Sequence, residues 1–600
     1  MERVADYIAN YISQKGIDTV FMVSGGGMMF LSDGLAQNDK IKVVCTHHEQ
    51  AAGMAAESYS KYKNGVGVAF VTSGCGSTNA ITPLLGAWQD SVPCVFISGQ
   101  AKRKETIRNS GLPLRQFGVQ EVDIIPIVHS ITKYAATVSK PEDIAIEMDK
   151  AFHYARSGRP GPVWIEVPLD VQSAGVDANS LERWDCNTVR ENYKTEVLVD
   201  ELRKVGEHLS RAERPLIIAG NGILLSGSVS DFKIFIERYN IPVVYSRLGI
   251  NILSSDHPQN IGLIGNKGQR AANMAVQNTD LLLVLGSRLS VSSTGHEYHT
   301  FAREAKKIVV DIDPVEHSKN TVAIDVFINA DVSAFLKQLN AAKLNLNIDE
   351  SWRTYCSALK EKYPRVSPEY KDDGNGLNLY DFVAQMSENM PQNIPVVTDS
   401  GSTSYVVPQA ITLREGQRYF TSSAQGEMGY SLPGSMGISL AGGKCPVICI
   451  TGDGSLQMNI QELQTIVHYQ LPIKIFVWNN DGYLSIKSTQ DKFFNGRYIG
   501  SNRESGVSFP DLKKIAGAYN INYCRVEKSG ELKGVFREVF SNDAPVICEV
   551  MCDPNQQILP TVSSYTKPDG TIVSKPLEDM FPFLARDEFY RNMLIKPLDE

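Results

Sequence analysis

The chain has 600 residues, of which 42% are hydrophobic and 21% are charged, a composition typical of soluble globular proteins. This length exceeds what one hydrophobic core supports and predicts about three domains. The formal net charge of -8 excludes a broadly basic surface, so we expect no nucleic acid partner. Because the start lacks a signal-type apolar stretch and no later apolar run is long enough to span a bilayer, we expect a cytoplasmic protein without membrane contact.

Short apolar runs alternate with longer stretches of helical period, which predicts an α/β fold of three doubly wound parallel-sheet domains. The polar segment between 340 and 380 is expected to be a connection with some helix rather than part of a core. After Asp553 the strand periodicity stops, and residues 556–600 are expected to form an arm or a lid, with a plain surface tail as the alternative. The expected domains span residues 1–180, 190–345 and 370–555.

Two strand ends in the last domain carry residues suited to a phosphate and a metal. One strand ends at Thr451, glycines flank Asp453, and Ser455 is placed to cap a helix whose apolar spacing continues to Ile466. Ligands of open α/β sheets lie beyond the carboxyl ends of strands, where helix N–H groups can bind phosphate. A later strand ends at Asn480, so a carboxylate and an amide oxygen, which suit Mg²⁺, meet at one edge.

The sequence GDGS, followed by a helix, a strand and NNDGY, resembles the cofactor motif of thiamine diphosphate enzymes. The resemblance implies that Asp453, the Asn480 side chain and the Gly482 carbonyl bind Mg²⁺. It assigns the first and last domains to the pyrimidine and the diphosphate of the coenzyme. The residues that it implies for the diphosphate are Gly452, Gly454 and Ser455, with Ser402 and Thr403 of the DSGSTS run, which is otherwise a plain turn.

Thiamine chemistry also needs a carboxylic acid beside the pyrimidine, because a proton at N1′ makes the 4′-amino group basic. Glu49 follows an apolar strand and opens an Ala-rich helix in HHEQAAGMAAESYS, so it is the expected catalytic acid. The alternative is a glutamate that only opens a helix. We expect His47 or His48 to orient a neighbouring chain and to bind no metal.

A third contact with the coenzyme is expected from the glycine-rich run SAQGEMGYSLPG. Small residues let the backbone approach a flat ring closely. In the family pattern, the Gly426 carbonyl receives the 4′-amino group and the Met428 side chain holds the two rings of the coenzyme in a bent form. A methionine at such a position is otherwise ordinary core packing.

The resemblance covers nearly the whole chain and is closest to the acetolactate synthase large subunit, through landmarks such as SGRPGPVWIEVPLD, QRAANMAVQNTDLLLVLGSR and QGEMGYSLPG. It implies an active site between two subunits, with Glu49 from one chain and Asp453 from its partner, so that a homodimer is the minimum and a homotetramer stays open. It also implies a 2-oxo acid donor, for which we expect pyruvate, whose acyl unit adds to a second carbonyl. Gln120 is the expected contact to reacting oxygen atoms, unless it is an exposed structural residue.

The departures from this family concern the acceptor. Ser292 stands where a second arginine meets the acceptor's carboxylate, Leu169 replaces a lysine, Val119 a phenylalanine and Thr489 a tryptophan. Loss of a guanidinium–carboxylate pair disfavours a second small oxo acid. The GYLSIKSTQ and KPLEDMFPF stretches resemble acetolactate synthase-like proteins of surface polysaccharide pathways, so a keto-sugar nucleotide is the hypothesis for the acceptor.

FAD is a further expected cofactor of the central domain. Arg288 and the GQRAANMAVQ run resemble flavin-binding members of the family, and Gly220 would be a second contact, whereas Asn266 and Lys267 replace a Met-His pair. The flavin would be structural, since the expected reaction has no net redox change.

Other functions are retained as alternatives. Acetolactate synthase proper shares every coenzyme motif, and so does a simple 2-oxo acid decarboxylase, which would protonate the acyl unit instead of transferring it. A nicotinamide-dependent dehydrogenase is disfavoured, because SGGG at 24–27 lacks the third glycine of a GxGxxG fingerprint. A non-catalytic subunit would be expected to have lost Glu49.

Overall fold

The three expected parallel sheets are present. Each has six strands, and the strands pair in parallel throughout, which confirms the predicted α/β fold of three doubly wound domains. No helix of the described ranges is long and apolar enough to cross a membrane. The computed structural model describes residues 1–189, 192–346, 348–370, 374–566 and 569–598.

The first sheet is covered by helices on both faces. Val68 and Phe70 of one strand pack into one core, and Ala69 and Val71 pack into another. In spatial order its strands are Lys42–Cys45, Thr19–Met22, Gly67–Val71, Cys94–Gln100, Val163–Pro168 and Tyr134–Thr137. Its helices are Val4–Gln14, Met29–Ala36, Glu49–Lys63, Cys75–Asn79, Ile81–Asp90, Ile107–Ser110, Ile124–Val128, Ile144–Arg156 and Leu169–Gln172.

The second sheet reverses its strand order beside Pro215–Ala219, which creates a crevice at its carboxyl edge. In spatial order its strands are Asn260–Leu263, Val243–Tyr245, Pro215–Ala219, Leu281–Leu285, Lys306–Asp311 and Val326–Asn329. Its helices are Val199–Arg211, Gly222–Leu225, Val229–Tyr239, Arg270–Asn278, Val291–Thr294 and Val332–Ala341.

The polar connection was expected to lie outside any core, and this prediction is wrong for its helix Glu350–Lys362. Trp352, Cys356 and Leu359 are buried in the core of the second sheet, and the Trp352 ring N–H donates to the Pro215 carbonyl at 2.9 Å. The three apolar residues share one helical face, so the helix buries that stripe although its composition is polar.

The third sheet places the predicted metal ligands at the carboxyl ends of neighbouring strands, with Gly452 paired to Trp478. In spatial order its strands are Tyr419–Phe420, Val396–Thr398, Val447–Gly452, Ile473–Asn479, Val546–Met551 and Asn522–Val526. Its helices are Leu379–Asn389, Ser402–Ala410, Ser431–Ala441, Asp453–Met458, Glu462–His468, Leu484–Phe494, Leu512–Ala518 and Leu532–Val539.

The first and third sheets share a core through the helices Glu49–Lys63 and Ser431–Ala441. These helices cross so closely that a β-carbon at Gly437 would lie 2.1 Å from the Ala55 carbonyl oxygen. Small residues on both helices allow this approach, and any side chain at Gly437 would force the helices apart. The contact fixes the start of the Glu49 helix relative to the third sheet.

Residues 556–566 and 569–598, the C-terminal arm, lie against the second sheet's helix Arg270–Asn278. Glu578 is fully buried, where it pairs with Arg303 at 2.7 Å and accepts a hydrogen bond from Gln277 at 2.6 Å. The Asn278 side chain accepts the Leu594 N–H at 2.7 Å. The arm contains the strands Thr561–Val562, Ser564–Thr566, Ile572–Ser574 and Met580–Phe581 and the helix Arg586–Arg591.

A buried carboxyl in the first sheet predicts a pH-dependent stability. Glu166 accepts hydrogen bonds from Gln100 at 2.8 Å and Thr137 at 2.7 Å, and its burial raises its pKa from 4.5 to about 7. The folded state therefore binds this proton more tightly than the unfolded chain. The resulting stabilisation is complete below pH 4.5 and is lost as the pH rises through 7.

Glu166→Gln removes this titration while it retains one oxygen and one amide group for the same neighbours. We expect the free energy of unfolding of the variant, relative to that of the wild type, to rise by about 3 kcal/mol when the pH is raised from 4.5 to 8. The measurement is the difference in apparent unfolding temperature between variant and wild type at these two pH values. A difference that is equal at both would contradict the prediction, and the exposed Glu142→Gln should show no pH-dependent difference.

Candidate active site

Asp453 and Asn480 meet at the carboxyl edge of the third sheet. One Asp453 carboxylate oxygen accepts the N–H groups of Asn480 at 3.1 Å and of Gly482 at 3.3 Å. The side-chain oxygen of Asn480 is buried and has no hydrogen-bond partner among the described residues. A buried amide oxygen without a partner is costly, so this atom suits a ligand that is bound at the edge.

The site offers one carboxylate rather than a cluster. The described residues contain no group of three or more His, Cys, Asp or Glu side chains that could hold a metal by themselves. Burial raises the pKa of Asp453 to about 7, and a bound cation would favour its charged form. One carboxylate, an amide oxygen and the phosphates of a ligand are what Mg²⁺ usually binds.

The helix after this edge differs from the prediction that Ser455 caps it. The helix begins at Asp453 with Gly452 as its cap residue, and Ser455 lies inside it. The apolar positions that were expected in one helix lie in two, Asp453–Met458 and Glu462–His468, because the first helix ends at Asn459. Its side chain donates to the Gly429 carbonyl at 2.8 Å and to the Gln50 side chain at 3.0 Å. These partners lie far away in sequence, so helical periodicity could not predict the break.

Glycines leave room at this edge. Apart from the adjoining residues of the chain, no atom of the described residues lies within 4 Å of the position that a β-carbon would take at Gly452 or at Gly426. The φ of +63° at Gly426 favours glycine. A β-carbon at Gly454 would instead lie 2.1 Å from the Tyr483 ring, so Gly454 permits that close contact. Met428, two residues after Gly426, is half-buried. The open space fits a ligand such as a diphosphate or a ring.

Asp399, which we did not predict, joins three segments of the site. Its buried carboxylate accepts hydrogen bonds from the Gly429 N–H at 2.9 Å, the Ser431 hydroxyl at 2.8 Å and the Thr451 hydroxyl at 3.1 Å. It is the first residue of the DSGSTS run, but its partners come from other parts of the chain. Asp399 thereby ties this run to the segments that carry Gly426 and Asp453.

The DSGSTS run continues into the helix Ser402–Ala410, where Ser402 and Thr403 are buried in the first turn. A second hydroxyl, which the sequence reasoning missed, faces the same place. The Ser485 oxygen lies 3.8 Å from the position of a β-carbon at Gly401, and it is buried without a partner among the described residues. Its only sequence signal is its position in NNDGYLS, five residues after Asn480.

Glu49 is buried at the start of its helix, where the His48 ring accepts the Gln50 N–H at 3.0 Å. One Glu49 oxygen accepts a hydrogen bond from the Asn79 side chain at 3.0 Å, and the other lies 3.2 Å from the position of a β-carbon at Gly76. The structure thus places Glu49 in a narrow space bordered by glycine. Asn79 was not predicted.

The SGGG run at 24–27, considered above only for nucleotide binding, packs near this glutamate. A β-carbon at Gly25 would lie 2.5 Å from the Thr72 side chain, which also contacts Gly76. On the other side, the Gln120 carbonyl lies 2.3 Å from the β-carbon position of Gly74. Gln120 is exposed with a φ of +55°, at the rim of the space around Glu49.

The comparisons with known proteins match the chain in three parts. Residues 2–127 match the thiamine pyrophosphate enzyme N-terminal TPP binding domain, 202–339 the central domain, and 399–550 the C-terminal TPP binding domain. Thiamine pyrophosphate and thiamine diphosphate are one compound. The chain belongs to the thiamine pyrophosphate enzymes. Its two TPP binding domains contain Glu49 and Asp453 respectively.

Named relatives of this thiamine pyrophosphate enzyme are similar over nearly their whole length. The acetolactate synthase isozyme 2 large subunit of Escherichia coli (strain K12) is 31% identical over 96% of this chain and 99% of its own. The probable acetolactate synthase large subunit of Methanocaldococcus jannaschii is 31% identical over 92% of each chain. The acetolactate synthase large subunit of Lactococcus lactis is 31% identical over 94% of each chain. The chain is therefore an acetolactate synthase-like, thiamine pyrophosphate-dependent enzyme.

A cavity of about 430 Å³ lies at the carboxyl edge of the enzyme's second sheet. Its wall includes Gly222 and Gly286, which pack so closely that a β-carbon at Gly222 would lie 2.6 Å from the Gly286 α-carbon. Gly220, the second contact expected for FAD, packs against Gly286 but is not among the described residues that line the cavity. This volume lies within the range of ligand and cofactor sites. Among the described residues, the arginines that line it are Arg156, Arg159, Arg247 and Arg288.

A buried ion cluster supports the segment that leads to Gly426. The Lys61 ammonium lies 2.6 Å from Glu57 and 3.0 Å from Asp90, and it donates to the Thr421 carbonyl at 2.9 Å. Asp90 also accepts the N–H groups of Ser423 and Ala424 at 2.8 and 3.0 Å. The first domain therefore holds residues 421–424 in place through charged groups.

Lys61→Met is expected to destabilise the enzyme, because it leaves the Glu57 and Asp90 carboxyls buried without a cation. Breaking a buried pair costs about 3 to 5 kcal/mol, which corresponds to a fall in unfolding temperature on the order of 10 °C. Differential scanning calorimetry measures this fall. Lys63→Met, on the same helix but half-exposed, is the matched control and should shift the temperature little. An equal shift for both variants would contradict the prediction.

Proposed function

We propose that the enzyme is a thiamine diphosphate- and Mg²⁺-dependent carboligase, which decarboxylates pyruvate and transfers the acyl unit to a carbonyl acceptor. The observation that carries this proposal is the buried, unpartnered side-chain oxygen of Asn480 beside Asp453. It lies at the edge where glycines leave room for a diphosphate. The buried Glu49 supplies the acid that the pyrimidine requires.

The residues of this chain fit the coenzyme and its metal. When bound, thiamine diphosphate supplies the nucleophilic carbon that attacks the keto group and accepts the electron pair released with carbon dioxide. Asp453, the Asn480 side chain and the Gly482 carbonyl would hold Mg²⁺. The diphosphate would be contacted by Gly452, Gly454, Ser455, Ser402 and Thr403.

Glu49 would hold a proton against N1′ of the pyrimidine, while Asn79 fixes its other oxygen. The Gly426 carbonyl would accept a hydrogen bond from the 4′-amino group, and the Met428 side chain would support the bent arrangement of the rings. Gln120, at the rim of this space, would donate its amide hydrogens to oxygen atoms of the donor.

We also infer that two chains share each active site. Leu112, Leu114, Phe117 and Val119 precede Gln120 and are 41% to 86% exposed. Ile486 and the Phe493–Phe494 pair, on the helix after the metal ligands, are exposed as well. Apolar patches of this kind mark protein interfaces, and a second copy would bring Gln120 and Glu49 to the partner's metal edge.

Complementation between two inactive variants tests the shared site. Glu49→Gln and Asp453→Asn chains, refolded together, form mixed dimers in which one site carries both substitutions and the other carries none. Partial recovery of activity is expected. If each site lies within one chain, every site of the mixture remains damaged and no activity returns.

The acceptor we propose is a keto-sugar nucleotide rather than a second pyruvate. Ser292 stands where an acetolactate synthase-like pattern has arginine, and its hydroxyl lies 2.9 Å from the Ser290 hydroxyl. Val119, which is exposed, offers no aromatic ring where that pattern has phenylalanine. The alternative is acetolactate synthase proper, which the names of the relatives favour.

Product analysis separates these candidates. With pyruvate alone, rapid formation of acetolactate would contradict the keto-sugar acceptor and support the alternative. Acetaldehyde as the main product, with or without a keto-sugar nucleotide, would indicate simple decarboxylation. A branched-chain sugar nucleotide, formed only when both substrates are present, is the expected result.

The arginine-lined cavity is proposed to bind FAD in a structural role. Its position where strand order reverses, the close packing of Gly222 and Gly286, and the half-exposed Arg288 support this ligand. The test is the flavin absorption of protein purified after incubation with FAD. Arg288→Met should retain less flavin, and wild-type protein that retains none would contradict the proposal.

A further inference from the structure

Three basic side chains gather where the second and third domains meet. The Lys267 ammonium lies 5.9 Å from the centre of the Tyr405 ring, and the Arg247 guanidinium lies 5.2 Å from it. Neither cation forms an ion pair with a carboxylate of the described residues. Burial lowers the pKa of Lys267 to about 8, and the nearby Lys492 adds charge repulsion. A partly buried cation that has a second cation nearby and no carboxylate partner among the described residues is suited to bind an anion.

This basic cluster, Lys267, Arg247 and Lys492, is connected to the active-site edge by two helices. Tyr405 belongs to the helix that begins with Ser402, and Lys492 belongs to the helix that follows the metal ligands. Arg247 and Tyr405 also line the 430 Å³ cavity proposed for FAD, whereas Lys267 and Lys492 do not, so the cluster adjoins that cavity.

The cluster also adjoins Ser292, which stands where the acetolactate synthase pattern has a second arginine. The Asn266 N–H donates to the Ser292 carbonyl at 2.9 Å, and a β-carbon at Gly265 would lie 2.2 Å from the same oxygen. The loop with Lys267 therefore packs directly on Ser292. The Val562 N–H of the C-terminal arm donates to the Asn266 carbonyl at 2.9 Å and covers the other side of this loop.

We propose that Lys267, together with Arg247 and Lys492, binds the diphosphate group of a nucleoside diphosphate-linked acceptor. This deepens the proposed function and rests on it for the reaction that follows. A diphosphate carries at least two negative charges and has oxygen atoms on several sides. It can therefore contact several separated cations at once, whereas a single carboxylate cannot. The positive charge that meets the acceptor would then lie in the loop that adjoins Ser292 and not at position 292 itself.

The test is isothermal titration of the enzyme, loaded with thiamine diphosphate, Mg²⁺ and saturating FAD, with UDP, CDP, GDP, ADP and dTDP at constant ionic strength. At least one nucleotide is expected to bind the wild type. Lys267→Met should weaken that binding by about 10- to 100-fold, Lys492→Met should weaken it as well, and Lys267→Arg should preserve most of it. Phosphate-free nucleosides should not bind.

Lys360→Met is the matched control, because burial also lowers the pKa of Lys360 to about 8, although its ammonium donates to the Ser255 carbonyl at 3.2 Å. It should leave nucleotide binding unchanged. Binding that is absent in the wild type, or equal in Lys267→Met, overturns the inference.

Carbon dioxide release from 2-oxo acids, measured on the same preparations, tests the proposed function separately. Release without nucleotide binding contradicts this inference alone. Lys267-dependent binding without release from any 2-oxo acid supports the diphosphate site and contradicts the proposed reaction.

Discussion

Replacing Glu49 by glutamine is expected to lower 2-oxo acid consumption by about 10²- to 10⁴-fold, the usual contribution of a positioned acid or base. An amide cannot share an ionisable proton with the pyrimidine nitrogen. It does retain an oxygen for the Asn79 side chain, which donates at 3.0 Å, so the local structure should persist. Steady-state rates at saturating thiamine diphosphate and Mg²⁺ measure the effect.

Coenzyme affinity serves as the control for this prediction. Thiamine diphosphate should bind Glu49→Gln within a few-fold of the wild type, since the residues proposed for the metal and diphosphate are untouched. Asn79→Ala keeps the carboxylate and removes its donor, so its loss of rate should be smaller. If the Glu49→Gln enzyme were as active as the wild type, Glu49 would have no role in the proton transfer.

Asp453→Asn is expected to reduce the affinity for Mg²⁺ and thiamine diphosphate by more than about 100-fold, because changes even in the partners of metal ligands cost 10- to 100-fold. Asp453 is the only carboxylate among the three proposed ligands. Asparagine is nearly isosteric and can still accept the Asn480 and Gly482 N–H groups. Equilibrium dialysis of the coenzyme at several Mg²⁺ concentrations measures the loss.

Asp481→Asn is the matched control for this substitution, because Asp481 is an exposed carboxylate in the same loop. It should bind the coenzyme like the wild type. Equal affinity of Asp453→Asn and the wild type would show that the metal is held elsewhere.

The fold was predictable because strands buried on both faces form continuous apolar runs, such as the strand Val447–Gly452. The burial of the helix that contains Trp352 could not be predicted, because only three of its residues form the apolar face and the rest of the segment is mostly polar. Asp453 and Asn480 were predicted to meet because both follow parallel strands. The break at Asn459 depends on Gln50 and Gly429, which only the folded chain brings near.

The supporting residues of the site were the least predictable. Asp399 and Lys61 act through partners distant in sequence, and the motif around each gives no sign of them. Lys267 was noticed only as a departure from a family pattern. Its meaning depends on its contact with Tyr405, which belongs to another domain. Motifs thus predict the atoms that would touch a ligand, whereas the residues that position these atoms require the structure.

The most direct test of the central claim is carbon dioxide release from carboxyl-labelled pyruvate by the purified enzyme, with and without thiamine diphosphate and Mg²⁺. The account predicts release that requires both additions and stops when Mg²⁺ is chelated. If a nucleotide-linked acceptor must bind first, release should accelerate when it is added. No release from pyruvate or other 2-oxo acids, with thiamine diphosphate shown to be bound and acceptors present, would contradict the account.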